Sequence, residues 1–376
     1  MAQVCYQVNL QTSIGGGEVF TRFFSEALVA LGWDVVLFVH TSATFWAGMA
    51  IPGIRIERVR TEDDLWIHLP ARDALVITHT VASAEFARRL GDRHRLVGLV
   101  HMPLYERDPA GLRHYQYLFG VSRHVIASMV ARGYKSVYPE PLYGVADLKP
   151  RGFAEGDLRA RSSYDWDRRK IRDRVFGFIG SWVGPFRTQQ RYARRPGISI
   201  GVVSRLTPIK QFPLMFSILA AKLATHPEVN LEIFGAGGYG TVRDVGRSLA
   251  PMGAQVRYWG YQPDVAAIYP LLDYVLSGLP EKEAMGLNLI EAQICGTPVL
   301  AVDAPPFTET VVDRATGYLF CDPRRDGGVA FDGLIGEIVT GKLHRPDPRK
   351  ATGHLARFSH IGFQDRVRTA FDRLGF

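Results

Sequence analysis

Cysteine is scarce in this sequence of 376 residues, which contains only Cys5, Cys295 and Cys321. Their odd number and wide spacing disfavour a disulfide framework and a structural zinc site, and are typical of a reducing compartment. No apolar run reaches the roughly 18 residues that a membrane-spanning helix needs. The first five residues lack the basic and apolar regions of a secretory signal peptide. We therefore predict a cytoplasmic protein.

The charge of the chain is unevenly distributed. It has 45 Lys and Arg against 37 Asp and Glu, a net charge of +8. Residues 148–195 hold 13 Lys and Arg against 5 Asp and Glu, so this segment alone accounts for the excess. Such a segment favours contact with an anionic membrane surface or with phosphorylated ligands, and its alternative role is that of a solvated connector. Nucleic-acid binding is disfavoured because no recognised module accompanies the basic segment.

Short apolar runs alternate with amphipathic, helix-like segments along the chain. In the N-terminal part the apolar runs are residues 4–8, 35–39, 74–77 and 96–100. The alternation restarts in the C-terminal part, with runs at residues 198–203, 231–234, 256–259, 274–276 and 298–302. Continuous apolar strands between helices predict parallel sheets that helices cover on both faces. The fold class predicted is therefore α/β, with two doubly wound parallel-sheet domains.

The domain boundaries follow from the same pattern. We place the N-terminal domain at residues 1–150 and the second domain at residues 196–355. Residues 151–195 form a basic connector or insertion, and residues 356–376 a C-terminal helix that packs back on the N-terminal domain. Ligands of open α/β sheets bind at the carboxyl ends of the strands, so two facing domains predict a ligand cleft between them.

Two features of the first domain follow strands directly. Gly15, Gly16 and Gly17 form a turn between the first strand and the first helix, where a helix start favours an anion. The turn matches neither a dinucleotide fingerprint nor a P-loop. His101 follows the run at 96–100, at the edge where ligands bind, and His79 has a similar position. The alternative for both histidines is a structural role.

In the second domain, two cations follow the run at 198–203. Arg205 and Lys210 lie in a strand-to-helix turn, where two fixed cations can neutralise a diphosphate. The alternative is an exposed loop with ordinary surface charges. The next run ends in a glycine-rich turn that begins at Gly235.

Two carboxylates, Glu283 and Glu291, flank a third feature of the second domain. On one continuous helix they would be separated by about 12 Å and 80°, so they would not face one small ligand squarely. Gly286 predicts instead that Glu283 precedes the helix and that Glu291 lies within it. The amides near Gly286, Leu287 and Asn288 would then form the electropositive helix start. The alternative is a helix with one buried and one solvated glutamate.

Together these motifs resemble those of the family 4 glycosyltransferases, whose GT-B fold consists of two Rossmann-like domains facing across a cleft. Residues 204–210 are similar to the family's Gly-Arg-Leu-x-x-x-Lys signature. Residues 231–237 resemble its strand ending in Gly-x-Gly, and residues 283–291 its Glu-x7-Glu motif. The motifs occur in the family's order and extend over most of the chain.

The resemblance implies a retaining transfer of a sugar from a nucleoside diphosphate sugar to a saccharide or lipid-linked acceptor. The acceptor would lie on the N-terminal domain, and the product would be a cell-envelope polysaccharide, a lipopolysaccharide or another glycolipid. Peripheral contact with an anionic membrane would suit a lipid-linked acceptor. Such enzymes need no cofactor and generally no catalytic metal, and the Asp-x-Asp pattern at residues 165–167 lies in the connector, so we predict no metal site.

The resemblance also implies roles for the residues singled out above. Arg205 and Lys210 would bind the diphosphate as it leaves, Glu283 would contact the transferred sugar, and Glu291 the ribose. His101 would lie beside the reacting centre. The remaining donor-binding positions are Gly15, Gly16, Gly17, Gly235, Gly286, Leu287 and Asn288.

The chain departs from the family pattern near the first glutamate. Glu281 is a second carboxylate, so either Glu281 or Glu283 would contact the sugar, and Ala284 follows Glu283 where glycine is frequent. Two alternatives to a transferase remain. One is a nucleotide-sugar epimerase of similar architecture, and the other is a catalytically inactive subunit that binds nucleotide sugars.

Overall fold

A computed structural model describes residues 3–49, 51–80, 82–105, 107–152, 158–165 and 190–376. Most of the predicted connector, residues 153–157 and 166–189, lies outside these ranges, as does part of the Asp-x-Asp pattern. The chain divides into two compact units. The N-terminal unit comprises Met1–Asp147 and Ala356–Phe376, and the C-terminal unit comprises Leu148–Leu355.

The N-terminal unit is built on a six-stranded parallel sheet with the order β3-β2-β1-β4-β5-β6. Its strands are β1 (Val4–Asn9), β2 (Asp34–His40), β3 (Ile54–Val59), β4 (Leu75–Thr78), β5 (Arg95–Val100) and β6 (Tyr117–Gly120). Its helices are α1 (Gly16–Ala30), α2 (Ala84–Gly91) and α3 (Arg123–Ala131). The central strands are buried along nearly their whole length, which explains their continuous apolar sequences.

The C-terminal unit is built on a second six-stranded parallel sheet, ordered β12-β11-β10-β7-β8-β9. Its strands are β7 (Ile198–Val203), β8 (Val229–Phe234), β9 (Val256–Gly260), β10 (Tyr274–Leu276), β11 (Val299–Val302) and β12 (Gly317–Phe320). Its helices are α4 (Phe212–Ala224), α5 (Tyr239–Ser248), α6 (Leu287–Ile294), α7 (Phe307–Thr310), α8 (Pro323–Asp326), α9 (Val329–Val339) and α10 (Thr352–Ala356), which runs into the N-terminal unit.

The last helix, α11 (His360–Leu374), belongs to the N-terminal unit although it follows the C-terminal unit in the sequence. Its buried face includes Phe363 and Phe371, which pack against aromatic residues of α1. Among the described residues, no helix is long and apolar enough to span a membrane.

The predicted fold class, two doubly wound parallel α/β sheets, is confirmed. One local expectation needs correction, because α1 begins at Gly16 and not after the third glycine. Gly15 is the N-cap residue in an extended conformation, and Gly16 and Gly17 form the first turn of the helix. The structure also contains β3, β6 and β12, which the apolar runs do not mark.

Candidate active site

The strand order of the C-terminal unit defines where a ligand of this sheet binds. After β7 the chain adds β8 and β9 on one side, then crosses over and adds β10 on the other side of β7. The carboxyl ends of β7 and β10 are therefore neighbours at a topological switch point, the usual ligand position in open α/β sheets. The loops that follow these strands are residues 204–211 and 277–286.

Lys210 and Glu283, one from each of these loops, form an ion pair. Lys210 ends a short 3-10 turn, Pro208–Lys210, and its Nζ donates to Oε2 of Glu283. The side chains are only 20% and 13% exposed. Sequence analysis predicts both residues in the donor site, and the structure brings them into direct contact.

Glu283 is also held by backbone amides at the start of α6. Its Oε1 accepts hydrogen bonds from the amides of Ala284 at 3.2 Å and Gly286 at 3.3 Å. Burial alone would raise the pKa of Glu283, but the Lys210 ammonium and the two amides outweigh it and hold this pKa below its usual value. Glu283 is therefore an ionised carboxylate at neutral pH.

The loops after β7 and β10 are in close backbone contact, and Gly278 makes this contact possible. A Cβ atom on Gly278 would lie 2.3 Å from the carbonyl oxygen of Lys210, so no larger residue fits. The amide of Leu279 donates to the same oxygen at 3.3 Å. These contacts fix the backbone of Lys210 against the loop that carries Glu283.

Gly286 starts helix α6 as predicted. It is the N-cap residue and has a φ of +78°, in the left-handed region that favours glycine. The amides of Leu287 and Asn288, the first two of the helix, have no carbonyl partner within it, whereas the amide of Leu289 donates to the carbonyl oxygen of Gly286 at 2.9 Å. Asn288 uses its side chain to tie the helix to the sheet, with Nδ2 donating to the carbonyl oxygen of Val203 at 3.1 Å. The helix start is thereby fixed at the end of β7.

Glu291 lies in the second turn of α6 and accepts a hydrogen bond from the hydroxyl of Tyr269 at 2.9 Å. Burial raises the pKa of Glu291 to about 7, against the opposing effects of the Tyr269 hydrogen bond and the Lys210 charge. The charge of Lys210 thus acts on both carboxylates. Tyr269 itself is fully buried, and sequence analysis missed it because it lies within an apolar stretch with no motif around it.

The loop after β7 also packs against the glycine-rich turn after β8. A Cβ atom on Gly235 would lie 1.8 Å from the carbonyl oxygen of Ser204, and the amide of Leu206 donates to the carbonyl oxygen of Ala236 at 2.9 Å. Gly235 is therefore needed for close backbone contact. Arg205 lies between Ser204 and Leu206, the two residues that make these contacts, and its own side chain is exposed.

Glu281 is placed differently from Glu283. Its carboxylate accepts from Nη1 of Arg324 at 2.7 Å, and its side chain is 45% exposed. Arg324 is in turn bound by the carboxylate of Asp322. Glu281 thus holds its loop to the residues after β12, whereas Glu283 contacts Lys210.

In the N-terminal unit, His101 follows β5 directly and packs against the first turn of α1. Its ring lies edge-on to Phe20, with centroids 5.0 Å apart, and stacks on His79 at 5.7 Å. A Cβ atom on Gly17 would lie 3.9 Å from the His101 ring, so this helix start and the histidine are neighbours. Burial lowers the pKa of His101 to about 4, so the imidazole is neutral at neutral pH.

No group of three or more His, Cys, Asp or Glu side chains within the described ranges is arranged to hold a metal ion.

Comparison with known proteins identifies the class of enzyme. Residues 190–327, which include both loops of the site, match the family model described as glycosyl transferases group 1. The chain is a glycosyltransferase with the GT-B fold. This match confirms the resemblance predicted from the motifs, at the level of the GT-B glycosyltransferases.

One relative and two solved structures illustrate how far the similarity of this glycosyltransferase extends. A D-inositol 3-phosphate glycosyltransferase of Segniliparus rotundus is 28% identical over 354 residues, covering 81% of this chain and 73% of the relative. The crystal structure of Anabaena HepE in complex with UDP and glucose has a TM-score of 0.68 at 16% identity, covering 99% and 100% of the two chains. The lipopolysaccharide outer core galactosyltransferase WaaB has a TM-score of 0.65 at 15% identity and 99% coverage of both chains. At these identities the two structures show the fold.

Proposed function

We propose that this glycosyltransferase transfers a sugar from a nucleoside diphosphate sugar to a saccharide or lipid-linked acceptor, with retention of the anomeric configuration. The contact between Lys210 and Glu283, beside the amides that begin α6, is the observation that carries the proposal. It combines a cation and a helix start, which suit a departing diphosphate, with a carboxylate that suits sugar hydroxyls. The names of the relatives agree with this chemistry, since HepE binds UDP and glucose and WaaB is a galactosyltransferase.

Each residue has a distinct part in the proposed reaction. As the bond between the sugar and the diphosphate breaks, negative charge develops on the leaving phosphate, and Lys210, Arg205 and the α6 amides stabilise it. Glu283 exchanges its hydrogen bond from Lys210 for sugar hydroxyls. Glu291 accepts hydrogen bonds from the ribose. Glu281 is assigned no substrate contact, because it pairs with Arg324 after β12, whereas Glu283 pairs with the Lys210 that binds the leaving diphosphate.

The N-terminal unit is assigned the acceptor side of the reaction. His101 would contribute a neutral imidazole beside the transferred sugar. Gly15, Gly16 and Gly17 would provide a helix start without side chains that faces the phosphates. The resemblance of the motifs to those of the family 4 glycosyltransferases supports these assignments by analogy. Synthesis of envelope polysaccharide or glycolipid is the role that suits the similarity to WaaB.

Substitution of Lys210 tests the proposed leaving-group role. We expect Lys210→Ala to lower kcat by about 10²-fold or more, because transition-state charge stabilisation is lost. Glu291→Ala should mainly raise the KM for the donor. Lys222→Ala is the matched control, since Lys222 lies in the same unit and its ion pair with Asp332 spans 3.8 Å at the surface. Kinetics like those of the control in both variants would refute the assignment. Analysis of the products formed in the absence of an acceptor distinguishes a transferase from an epimerase, because an epimerase converts the donor sugar without an acceptor.

Peripheral contact with an anionic membrane is a further part of the proposal, supported by the excess positive charge of residues 148–195. Each cation near an anionic leaflet contributes about 1 kcal/mol, and salt screens this attraction. We expect the protein to sediment with vesicles containing anionic lipid at low salt and to be released at high salt. Equal sedimentation with purely zwitterionic vesicles would argue against the contact.

A further inference from the structure

His79 and His101 form a stacked pair at the carboxyl edge of the N-terminal sheet. They follow β4 and β5, which are adjacent and parallel, so the two strands deliver both rings to the same edge. The ring centroids are 5.7 Å apart and the planes are 20° from parallel. His101 alone has a role in the proposed function, and His79 lies behind it, 5% exposed.

The rest of the protein holds the His79 ring firmly. Its Nε2 lies 2.8 Å from Oε1 of Gln7, a residue of β1 that is fully buried. This hydrogen bond between two buried side chains holds the orientation of the His79 ring. Phe24 of α1 packs edge-on against the same ring at 5.6 Å. Burial, followed by the proximity of His101, holds the pKa of His79 well below its usual value, so the ring is neutral.

His101, in contrast, has no polar anchor within the part of the chain that the structure describes. Its Nε2 is buried and has no hydrogen-bond partner there. Its ring contacts are His79, which follows β4, and Phe20 of α1. Among these neighbours only His79 titrates, and none carries a charge. The orientation of the His101 ring therefore depends on packing against Phe20 and His79, and of these two neighbours His79 is the one held by a hydrogen bond.

We propose that His79 is a positioning residue: held by its hydrogen bond with Gln7, its ring sets the plane of the His101 ring and so presents His101 to the substrate. This inference rests on the proposed function for the role of His101, but the geometry of the pair can be tested without a substrate. The mechanism needs no contact between His79 and the sugar. Misplacing a reacting or binding group by about 1 Å costs on the order of 10²-fold in rate, so an anchored neighbour has a measurable effect.

Two variants remove the anchor in different ways. His79→Phe keeps a flat ring but loses the hydrogen bond with Gln7, and Gln7→Leu leaves the histidine in place without this hydrogen-bond partner. The matched control is His94→Phe, because His94 is a second buried histidine of the same unit that stacks on Trp66 and accepts one hydrogen bond, from the amide of Ala74. We expect kcat to fall by about tenfold in both test variants while the donor KM stays within twofold, and kcat of the control to match the native protein.

Nitrogen-15 NMR of the imidazoles supplies a readout that a purely structural role would not change. In the native protein we expect sharp His101 ring signals, because the ring is held in one orientation. In His79→Phe and Gln7→Leu we expect the His101 ring signals to shift and broaden, because the ring then samples more than one orientation. A native His101 whose ring signals are already broadened by such exchange would overturn the proposal. So would a fall in kcat without a change at His101, or a change at His101 with native kcat.

The two failures remain distinguishable. If the native protein transfers no sugar from any nucleotide sugar, the proposed function fails, whereas the native and variant spectra still decide whether His79 orients His101. If the native protein is active and both test variants keep kcat within twofold, only the positioning proposal fails. An equal loss of kcat in His94→Phe would mean that loss of stability explains the effect, and would also overturn the proposal.

Discussion

The pKa values of Glu283 and Glu291 shift in opposite directions, although Glu283 lies just before helix α6 and Glu291 within it. Both are desolvated, which by itself raises the pKa of a carboxyl group. At Glu283 the Lys210 ammonium and two backbone amides outweigh the effect of desolvation, so the pKa falls. Glu291 has a neutral phenol as its hydrogen-bond partner, and its pKa rises to about 7. One carboxylate is therefore ionised under all physiological conditions, while the other titrates near neutrality.

The raised pKa of Glu291 predicts a stability that depends on pH. Between the unfolded value of 4.5 and the folded value of about 7, the folded state binds more protons, so stability decreases as pH rises through this range. Glu291→Gln mimics the neutral carboxyl at every pH. We expect it to match the native protein only below the unfolded value of 4.5, and to stabilise it at pH 8 by at most about 3.4 kcal/mol, at 1.36 kcal/mol per pKa unit. Thermal unfolding at several pH values from below 4.5 to 8 measures the difference.

Glu283→Gln is the matched variant, and we expect it to change the stability at pH 8 in the opposite direction. The lowered pKa of Glu283 means that its contribution to stability is present above the unfolded value of 4.5 and is lost as pH falls through the lower folded value. Removing its charge at pH 8 leaves the mostly buried Lys210 ammonium without its partner. We therefore expect destabilisation of roughly 2 kcal/mol, between the values for surface and buried pairs. Destabilisation by Glu291→Gln at pH 8 would contradict the assigned shifts.

The loops after β7 and β8 act as one element because their backbones touch. The close approach of Gly235 to Ser204 fixes the turn that begins the Arg205–Lys210 segment. We expect Gly235→Ala to displace this segment, to lower Tm and to raise the donor KM by at least tenfold, since the added Cβ would overlap a carbonyl oxygen that cannot move alone. Thermal unfolding and steady-state kinetics measure both effects.

Gly240→Ala is the control for that substitution. Gly240 lies in the first turn of α5, and a Cβ atom there would meet nothing within 4 Å. Alanine is the better helix former, so we expect Tm to stay unchanged or to rise slightly. Equal effects of the two glycine substitutions would mean that the contact with Ser204 does not position the loop.

The main elements of this fold are predictable from the sequence because parallel strands covered on both faces are apolar throughout. The predicted runs at 198–203 and 274–276 coincide with β7 and β10. β3 is different because it is an edge strand, and its Arg55 and Glu57 interrupt the apolar run. An edge strand needs one buried face at most, so its pattern is weaker than that of a central strand.

The sequence places Lys210 and Glu283 in two loops, but it does not predict that their side chains contact each other. Lys210 and Glu283 are 73 positions apart in the chain, and only the order of β10 and β7 in the sheet makes them neighbours. Periodicity identifies strands without fixing that order. Tyr269 and Gln7 lie within apolar stretches, where a single polar side chain carries no motif. Their roles become visible only through the side chains that they contact.

The two units are not continuous in sequence, because α11 returns to the N-terminal unit after the C-terminal unit is complete. Phe363 of this helix is 1% exposed and packs edge-on against Phe20 of α1, with ring centroids 5.3 Å apart. Phe20 also contacts His101. The last helix of the chain therefore supports the element that carries the glycine turn and the His101 contact.

This division predicts that a core substitution in the tail destabilises the unit formed by the start of the chain. Phe363→Ala removes a buried ring and should cost the N-terminal unit about 3–5 kcal/mol. Phe331→Ala is its counterpart in the C-terminal unit, where Phe331 is fully buried and packs on Phe320 at 4.9 Å. Hydrogen exchange of the full chain should show faster exchange in β1 and α1 for the first variant, and in β12 and α9 for the second. Faster exchange of α9 in Phe363→Ala, with α1 unchanged, would mean that the tail stabilises the C-terminal unit instead.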